Sequence, residues 1–190
     1  MAENKIALKS ITELLGLNFY IPDYQRGYRW THQNVTQLLE DIWEYAQESK
    51  NNTFYCLQPV VVREKKWQDK AGNIMEGYEV IDGQQRLTTI HRLLSYLRRE
   101  HLRIKKLSED YNNDLYTIDY KTRPESKAFL QKDEYDKSKP DLYYMSEAYE
   151  TIRNWFTNEK NGIKRQGRNQ FLDCLLPDLN NQTIKQPKTT

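Results

Sequence analysis

A short strand that runs through a glycine into a helix is the feature of this sequence that most constrains its fold. Residues Tyr78 to Ile81 alternate as a buried strand does, and from Leu87 onward the apolar residues recur at helical spacing. Between them lies the segment Asp82-Gly-Gln-Gln-Arg86. Such a turn directs backbone N–H groups and the positive end of the helix dipole at one point, which favours an anion. The sequence therefore predicts an anion-binding site at this helix start.

The side chains of this turn suit a phosphate group, and two interpretations of them stay open. Gly83 lets a phosphate approach the backbone, and the guanidinium of Arg86 can bind two phosphate oxygens at once. Gln84 and Gln85 could orient an attacking water or bind a ribose, and Asp82 could bind Mg²⁺. The alternative is structural, because Asp82 and Gln85 also fit the pattern of a helix capping box.

A second segment rich in arginine and tyrosine lies earlier in the chain, at Tyr24-Gln-Arg-Gly-Tyr-Arg-Trp30. In an extended conformation alternate residues share one face, and here they are one arginine and three aromatics: Tyr24, Arg26, Tyr28 and Trp30. A guanidinium beside aromatic rings suits a phosphate with a stacked base, and Tyr28 and Trp30 are the stacking candidates. The alternative is a loop whose aromatic side chains cover the core. These residues alone leave both interpretations open.

Strands and helices alternate along the first two thirds of the chain, which predicts an α+β fold with a small sheet packed with helices. The expected strands are 17–22, 54–63, 77–81 and 115–120. The second and third of these are expected to pair with each other. The charged residues 64–76 are expected to form the connection between that pair. We expect an α/β domain at 1–131, a helical extension at 132–176 and a disordered polar tail at 177–190.

Composition excludes several classes of function. The net charge of +2 over 190 residues is too small by itself to indicate nucleic acid. The two cysteines match no metal-binding spacing, and no stretch approaches the roughly 20 apolar residues that cross a bilayer. No P-loop or dinucleotide-binding fingerprint is present. We therefore expect a cytoplasmic protein without a membrane partner, and a basic helix end around Arg98 and Arg99 keeps DNA binding as an alternative.

Together the two motifs resemble those of the DUF262 family, the GmrS-like half of GmrSD modification-dependent restriction systems. The resemblance rests on Ile21-Pro-Asp-Tyr-Gln-Arg26 and on Asp82-Gly-Gln-Gln-Arg86, and it covers residues 5–176. It implies a mixed sheet with a ParB/sulfiredoxin-like fold. It also implies a domain that binds a nucleoside triphosphate with Mg²⁺, and hydrolyses it, in bacterial defence against phage DNA.

The resemblance implies two groups of site residues. Those expected to bind the nucleotide are Tyr24, Gln25, Arg26, Gly83, Arg86 and Thr88. Those expected to act in hydrolysis are Asp82, Gln84, Gln85 and Arg86, with Asp82 also as the Mg²⁺ ligand.

Two departures from the family pattern qualify this expectation. Gln58 stands where the family often has a glycine. The chain also ends before a later family segment and an HNH nuclease domain, so nuclease activity is not expected, and DNA would be contacted mainly by such a C-terminal part. A DNA-binding module without catalysis and an inert N-terminal fragment therefore stay open as alternatives, and so does self-association.

Overall fold

Three parallel strands, extended by one antiparallel strand, form the sheet on which the rest of the chain packs. The computed structural model describes residues 7–48, 55–69, 71–103, 114–132, 135–157, 170–171 and 174–176. Within them the strands are β1 (Asn18–Ile21), β2 (Val61–Gln68), β3 (Ile74–Asp82) and β4 (Thr117–Tyr120). Their spatial order is β2-β3-β1-β4, with β1 parallel to both β3 and β4 and with β2 antiparallel to β3. The predicted α+β fold with a mixed sheet is confirmed.

The helices share a single hydrophobic core with the sheet. They are α1 (His32–Glu48), α2 (Gln84–Arg103), α3 (Pro124–Leu130) and α4 (Pro140–Thr157), preceded by a 3₁₀ turn at Thr12–Leu14. One cluster of buried side chains includes Phe19 and Val80 from the strands, Leu93 from α2 and Trp155 from α4. The predicted helical extension thus contributes to the same core as the predicted α/β domain. The predicted disordered tail, 177–190, lies outside the described residues.

The hairpin of β2 and β3 is longer than the sequence predicts. The expected pairing is confirmed, because Val62 lies opposite Val80, but the strands continue through the charged residues that were expected to be a connection. Charges of opposite sign face each other across this ladder: Lys65 lies 3.2 Å from Glu79, and Arg63 lies 2.5 Å from it. Cross-strand ion pairs can stabilise a strand of high charge, which a hydrophobic pattern does not reveal. The predicted hairpin connection over 64–76 is therefore too long, because β2 continues to Gln68 and β3 begins at Ile74.

The carboxyl ends of the three parallel strands lie at the same edge of the sheet. β3 leads through Gly83 into α2, β1 leads into the loop 22–31, and β4 leads into the turn 121–123. In register, Phe19 of β1 lies between Tyr78 of β3 and Ile118 of β4. Ligands of open sheets with parallel strands bind outside these carboxyl ends. The fold therefore brings both sequence motifs to the edge at which a ligand is expected.

Candidate functional site

Gln85 joins the start of α2 to the loop 22–31, which we call the arginine loop. Its Nε2 donates to the carbonyl oxygen of Gly27 at 2.9 Å, and its Oε1 accepts from the backbone N–H of Arg29 at 2.7 Å. α2 begins at Gln84, so Gly83 takes the position of the N-cap and the capping box of Asp82 with Gln85 does not form. The amide of Gln85 instead holds the backbone of the arginine loop on both sides of Tyr28.

Two further glutamines complete this connection. Gln84, which is 3% exposed, donates from Nε2 to the carbonyl oxygen of Arg26. Gln25 donates in the opposite direction, from its Nε2 to the carbonyl oxygen of Ile81 at 2.6 Å. The Oε1 of Gln84 is buried and accepts no hydrogen bond from the described residues. A buried acceptor without a donor costs roughly 1–3 kcal/mol, so a water molecule bound to this oxygen would be favourable.

Gly83 sets the geometry of the strand-to-helix turn. Its φ is +93°, in the left-handed region that glycine tolerates best, and a Cβ on this residue would lie 3.0 Å from Cγ2 of Val60. The backbone N–H of Leu87 bonds to the Gly83 carbonyl at 3.0 Å and closes the first turn of α2. The N–H groups before it have no acceptor within the helix and add partial positive charge at this edge.

The two arginines predicted to bind phosphate have different environments. Arg86 donates to the carbonyl oxygen of Pro59 at 3.2 Å and to Oε1 of Gln58. Gln58 has a φ of +70°, in the left-handed region that glycine tolerates best, so a residue with a side chain is strained there. Arg26 is exposed, and none of the described residues binds its guanidinium. Arg26 is therefore the arginine most available to a ligand.

A buried carboxylate holds the other side of the arginine loop. Asp141, in the first turn of α4, is 5% exposed. Its Oδ1 accepts from Nη1 of Arg29 at 2.5 Å, and its Oδ2 lies 2.6 Å from Nε of Arg123. The sequence alone does not single out this carboxylate, because an acidic residue in the first turn is common to many surface helices.

Gly27 packs directly on the carboxylate of Asp141. A Cβ on Gly27 would overlap both carboxylate oxygens, so glycine is required at this position by close approach. The absence of a side chain at Gly27 allows the arginine loop to pack against the start of α4.

Two residues predicted to contact the ligand are buried in the core. Tyr28 is fully buried, and its hydroxyl lies 2.8 Å from Oγ1 of Thr89. Burial raises the pKa of Tyr28 far above its usual value. Thr88 is also fully buried, and its hydroxyl lies 2.8 Å from the carbonyl oxygen of Gln84 and 2.7 Å from the hydroxyl of Tyr120. Because a base or phosphate cannot reach either side chain in this conformation, we do not include them in the proposed site.

The remaining predicted residues lie at or near the surface. Tyr24 is 65% exposed, and Trp30 is half-buried against the core. Asp82 is exposed at the end of β3. Among the described residues, no group of three or more His, Cys, Asp or Glu side chains could hold a metal ion. Asp82 would therefore need oxygens from the ligand to hold Mg²⁺.

Comparison with protein families identifies the family to which the chain belongs. The family model of the GmrSD restriction endonuclease, N-terminal domain, matches residues 6–187. The chain belongs to this family. The resemblance seen in the two motifs is thereby confirmed, and this GmrSD N-terminal domain is a restriction-system protein. No curated protein matches the chain.

Two features of this GmrSD N-terminal domain bear on possible partners. In the described part of the chain, no helix is both long and apolar enough to cross a bilayer. The basic end of α2 includes Arg98 and Arg99, which are half-buried and exposed respectively, and residues 104–113 that follow it lie outside the described residues.

Proposed function

We propose that the carboxyl-end edge of the sheet binds a nucleoside triphosphate together with Mg²⁺. The observation that carries the proposal is the arrangement of the glutamines and Arg26. Three glutamine amides join the arginine loop to the end of β3 and the start of α2, while the guanidinium of Arg26 on that loop has no partner among the described residues. An arginine on a fixed loop beside a helix start offers a phosphate both charge and oriented donors.

The phosphates and the base of a nucleoside triphosphate each have candidate partners at this edge. The phosphates would bind the first-turn N–H groups of α2, with Arg26 and Arg86 as cations. The exposed ring of Tyr24 is available to stack on the base. A water molecule could donate to the buried Oε1 of Gln84, which has no donor among the described residues.

Magnesium and hydrolysis form the second part of the proposal. Asp82 would supply one oxygen ligand to Mg²⁺, and the phosphates and waters would supply the others, as this ion prefers. Gln84 and Gln85 already hold the arginine loop, so their contribution to hydrolysis would be to position Arg26 rather than to contact the attacking water. Asp82 is an exposed carboxylate at this edge, and its loss should reduce hydrolysis and Mg²⁺ dependence together.

Calorimetric titration of nucleoside triphosphates with Mg²⁺ tests the proposal. Arg26→Ala removes a guanidinium that no described residue binds, so the fold should be unaffected. Loss of a charge-assisted phosphate contact should cost about 1.5–3 kcal/mol, which is roughly ten- to more than a hundred-fold in Kd. Arg153→Ala is the matched control, because Arg153 is an exposed arginine of α4 that pairs with Glu150.

The result that would refute the proposal is equal affinity of wild type and Arg26→Ala, or no nucleotide binding by a folded wild-type protein. The same proteins should be titrated with duplex DNA at several salt concentrations. DNA binding with a steep salt dependence, unchanged by Arg26→Ala and without nucleotide binding, would favour the DNA-binding alternative.

A further inference from the structure

A second cationic pocket lies on the other side of the arginine loop. It has a volume of about 190 Å³ and lies between this loop, the end of β4 and the start of α4. Three cationic side chains line it, from Arg29, Arg123 and Lys139, and so do the two carboxylates of Glu125 and Asp141. Neither Arg123 nor Lys139 belongs to a motif that the sequence singles out.

The pocket has an excess of positive charge. Lys139 pairs with Glu125 at 2.6 Å. Asp141 is a single carboxylate shared by two guanidiniums, those of Arg29 and Arg123. Two arginines on one carboxylate leave one positive charge uncompensated beside a half-buried cavity, where a charge-assisted hydrogen bond is stronger than in water.

Both guanidiniums are fixed in position and still have free donors. Arg29 uses Nη1 for Asp141 and for the carbonyl oxygen of Tyr28 at 2.8 Å. Nε of Arg123 forms an ion pair with Oδ2 of Asp141 at 2.6 Å, and its Nη1 donates to the carbonyl oxygen of Gln25 at 3.4 Å and to Oγ1 of Thr122 at 3.3 Å. For the Nη2 group of either arginine, the described residues provide no acceptor. Their side chains are 35% and 29% exposed, so a ligand can reach them.

We propose that this pocket binds a single phosphate group. In the nucleotide complex, this group is the terminal phosphate of the nucleoside triphosphate. A cavity of this size is smaller than the roughly 300–1,000 Å³ of pockets that hold a whole small molecule, so it suits one group. Gln25 connects it to the other phosphate donors, because its carbonyl oxygen faces Arg123 while its amide binds Ile81, next to the turn at Asp82. The assignment to the terminal phosphate rests on the proposed function, whereas binding of a free phosphate does not.

In this proposal Asp141 is a positioning residue. Its carboxylate lines the pocket but would order Arg29 and Arg123 through two ion pairs rather than bind the phosphate, and Gly27 permits its close approach to the loop. A guanidinium that is already ordered loses less conformational entropy when it binds a ligand.

The experiment compares the affinities for a nucleoside triphosphate and the corresponding diphosphate, both with Mg²⁺. The proteins are wild type, Arg123→Gln, Lys139→Gln and the control Arg153→Gln. In Arg123→Gln the Kd for the triphosphate should rise about tenfold or more, while the Kd for the diphosphate changes by less than about threefold. Lys139→Gln should show the same selectivity with a smaller rise. An equal loss of affinity for the triphosphate and the diphosphate, or no loss of affinity for either, would overturn the assignment.

Inorganic phosphate, followed by thermal unfolding, separates failure of this inference from failure of the proposed function. If the wild type binds no nucleotide, the proposed function fails. The pocket is then supported if phosphate raises the Tm of wild type and Arg153→Gln but not of Arg123→Gln, and it is overturned if phosphate leaves the wild-type Tm unchanged. Should Arg123→Gln fail to fold, Lys139→Gln decides alone. Its side chain is 57% exposed and pairs with Glu125 rather than Asp141, so an unchanged preference for the triphosphate in this variant would overturn the assignment.

Discussion

Replacement of Gln85 distinguishes a structural role of this glutamine from a purely catalytic one. Its side chain makes two hydrogen bonds to the backbone of the arginine loop, at 2.7 Å to the N–H of Arg29 and at 2.9 Å to the carbonyl oxygen of Gly27. Gln85→Ala leaves one part-buried donor and one part-buried acceptor without partners. Because each such group costs about 1–3 kcal/mol, and both sites are only partly shielded from water, we expect a loss of about 2–4 kcal/mol in the free energy of unfolding.

Urea denaturation at 25 °C measures this loss. Gln37→Ala is the matched control, since Gln37 is an exposed helical glutamine whose amide binds Asp41 at 2.7 Å within α1. We expect the control to change stability by less than about 0.5 kcal/mol, because such pairs on a helix surface contribute little. Comparable m-values for the variants would show that the same cooperative transition is measured.

Gln85→Glu provides a sharper test, because a carboxylate can still accept from Arg29 but cannot donate to Gly27. The second carboxylate oxygen would face a carbonyl oxygen, so this variant should be as unstable as Gln85→Ala at neutral pH. Protonation restores a donor, and the difference from wild type should therefore shrink as the pH is lowered. Wild-type stability of Gln85→Ala, or a Gln85→Glu difference that does not respond to pH, would refute the interpretation.

Two further predictions concern acid stability and close packing. Burial, with a smaller contribution from Arg92, lowers the pKa of His91 to about 4 from 6.5, so below pH 6.5 the unfolded chain gains a proton that the folded chain does not. Between pH 6.5 and 4, this group should lower the free energy of unfolding by about 3 kcal/mol. His91→Phe should reduce the pH dependence of the free energy of unfolding measured by urea denaturation. An identical pH dependence in both proteins would contradict this prediction. Gly27→Ala should destabilise the protein by about 1–3 kcal/mol and weaken nucleotide binding, because its Cβ would overlap the carboxylate of Asp141; a wild-type urea midpoint would show that the loop adjusts freely.

The strand-to-helix turn could be predicted because its determinants are local. The alternation before Asp82 and the helical spacing after Gln85 specify the two elements, and glycine between them supplies the left-handed backbone, with a φ of +93°. The hairpin of β2 and β3 was predicted less well. Its charged residues are stabilised by partners on the opposite strand, such as Glu79 for Lys65, and such pairs are visible only once the register is known.

The burial of individual site residues also could not be read from the sequence. Tyr28 and Tyr24 lie four residues apart in one motif, yet the first is fully buried and the second is 65% exposed. In an extended segment both tyrosines would lie on one face and have similar exposure. The hydrogen bonds from Gln84 and Gln85 instead fix the path of the loop, so that the Tyr28 ring enters the core.

The sequence by itself therefore determined which segments form the site and what class of ligand they suit, because glycine, arginine and helix start are local features with local physics. The tertiary structure decided which atoms remain free to bind. It uses the amides of Gln84 and Gln85 to hold the loop, and it buries Tyr28. It also brings Asp141 to Arg29, 112 positions earlier in the chain, while the same carboxylate pairs with Arg123. Contacts between residues so far apart depend on the order and direction of the strands, and no local pattern in the chain encodes that order.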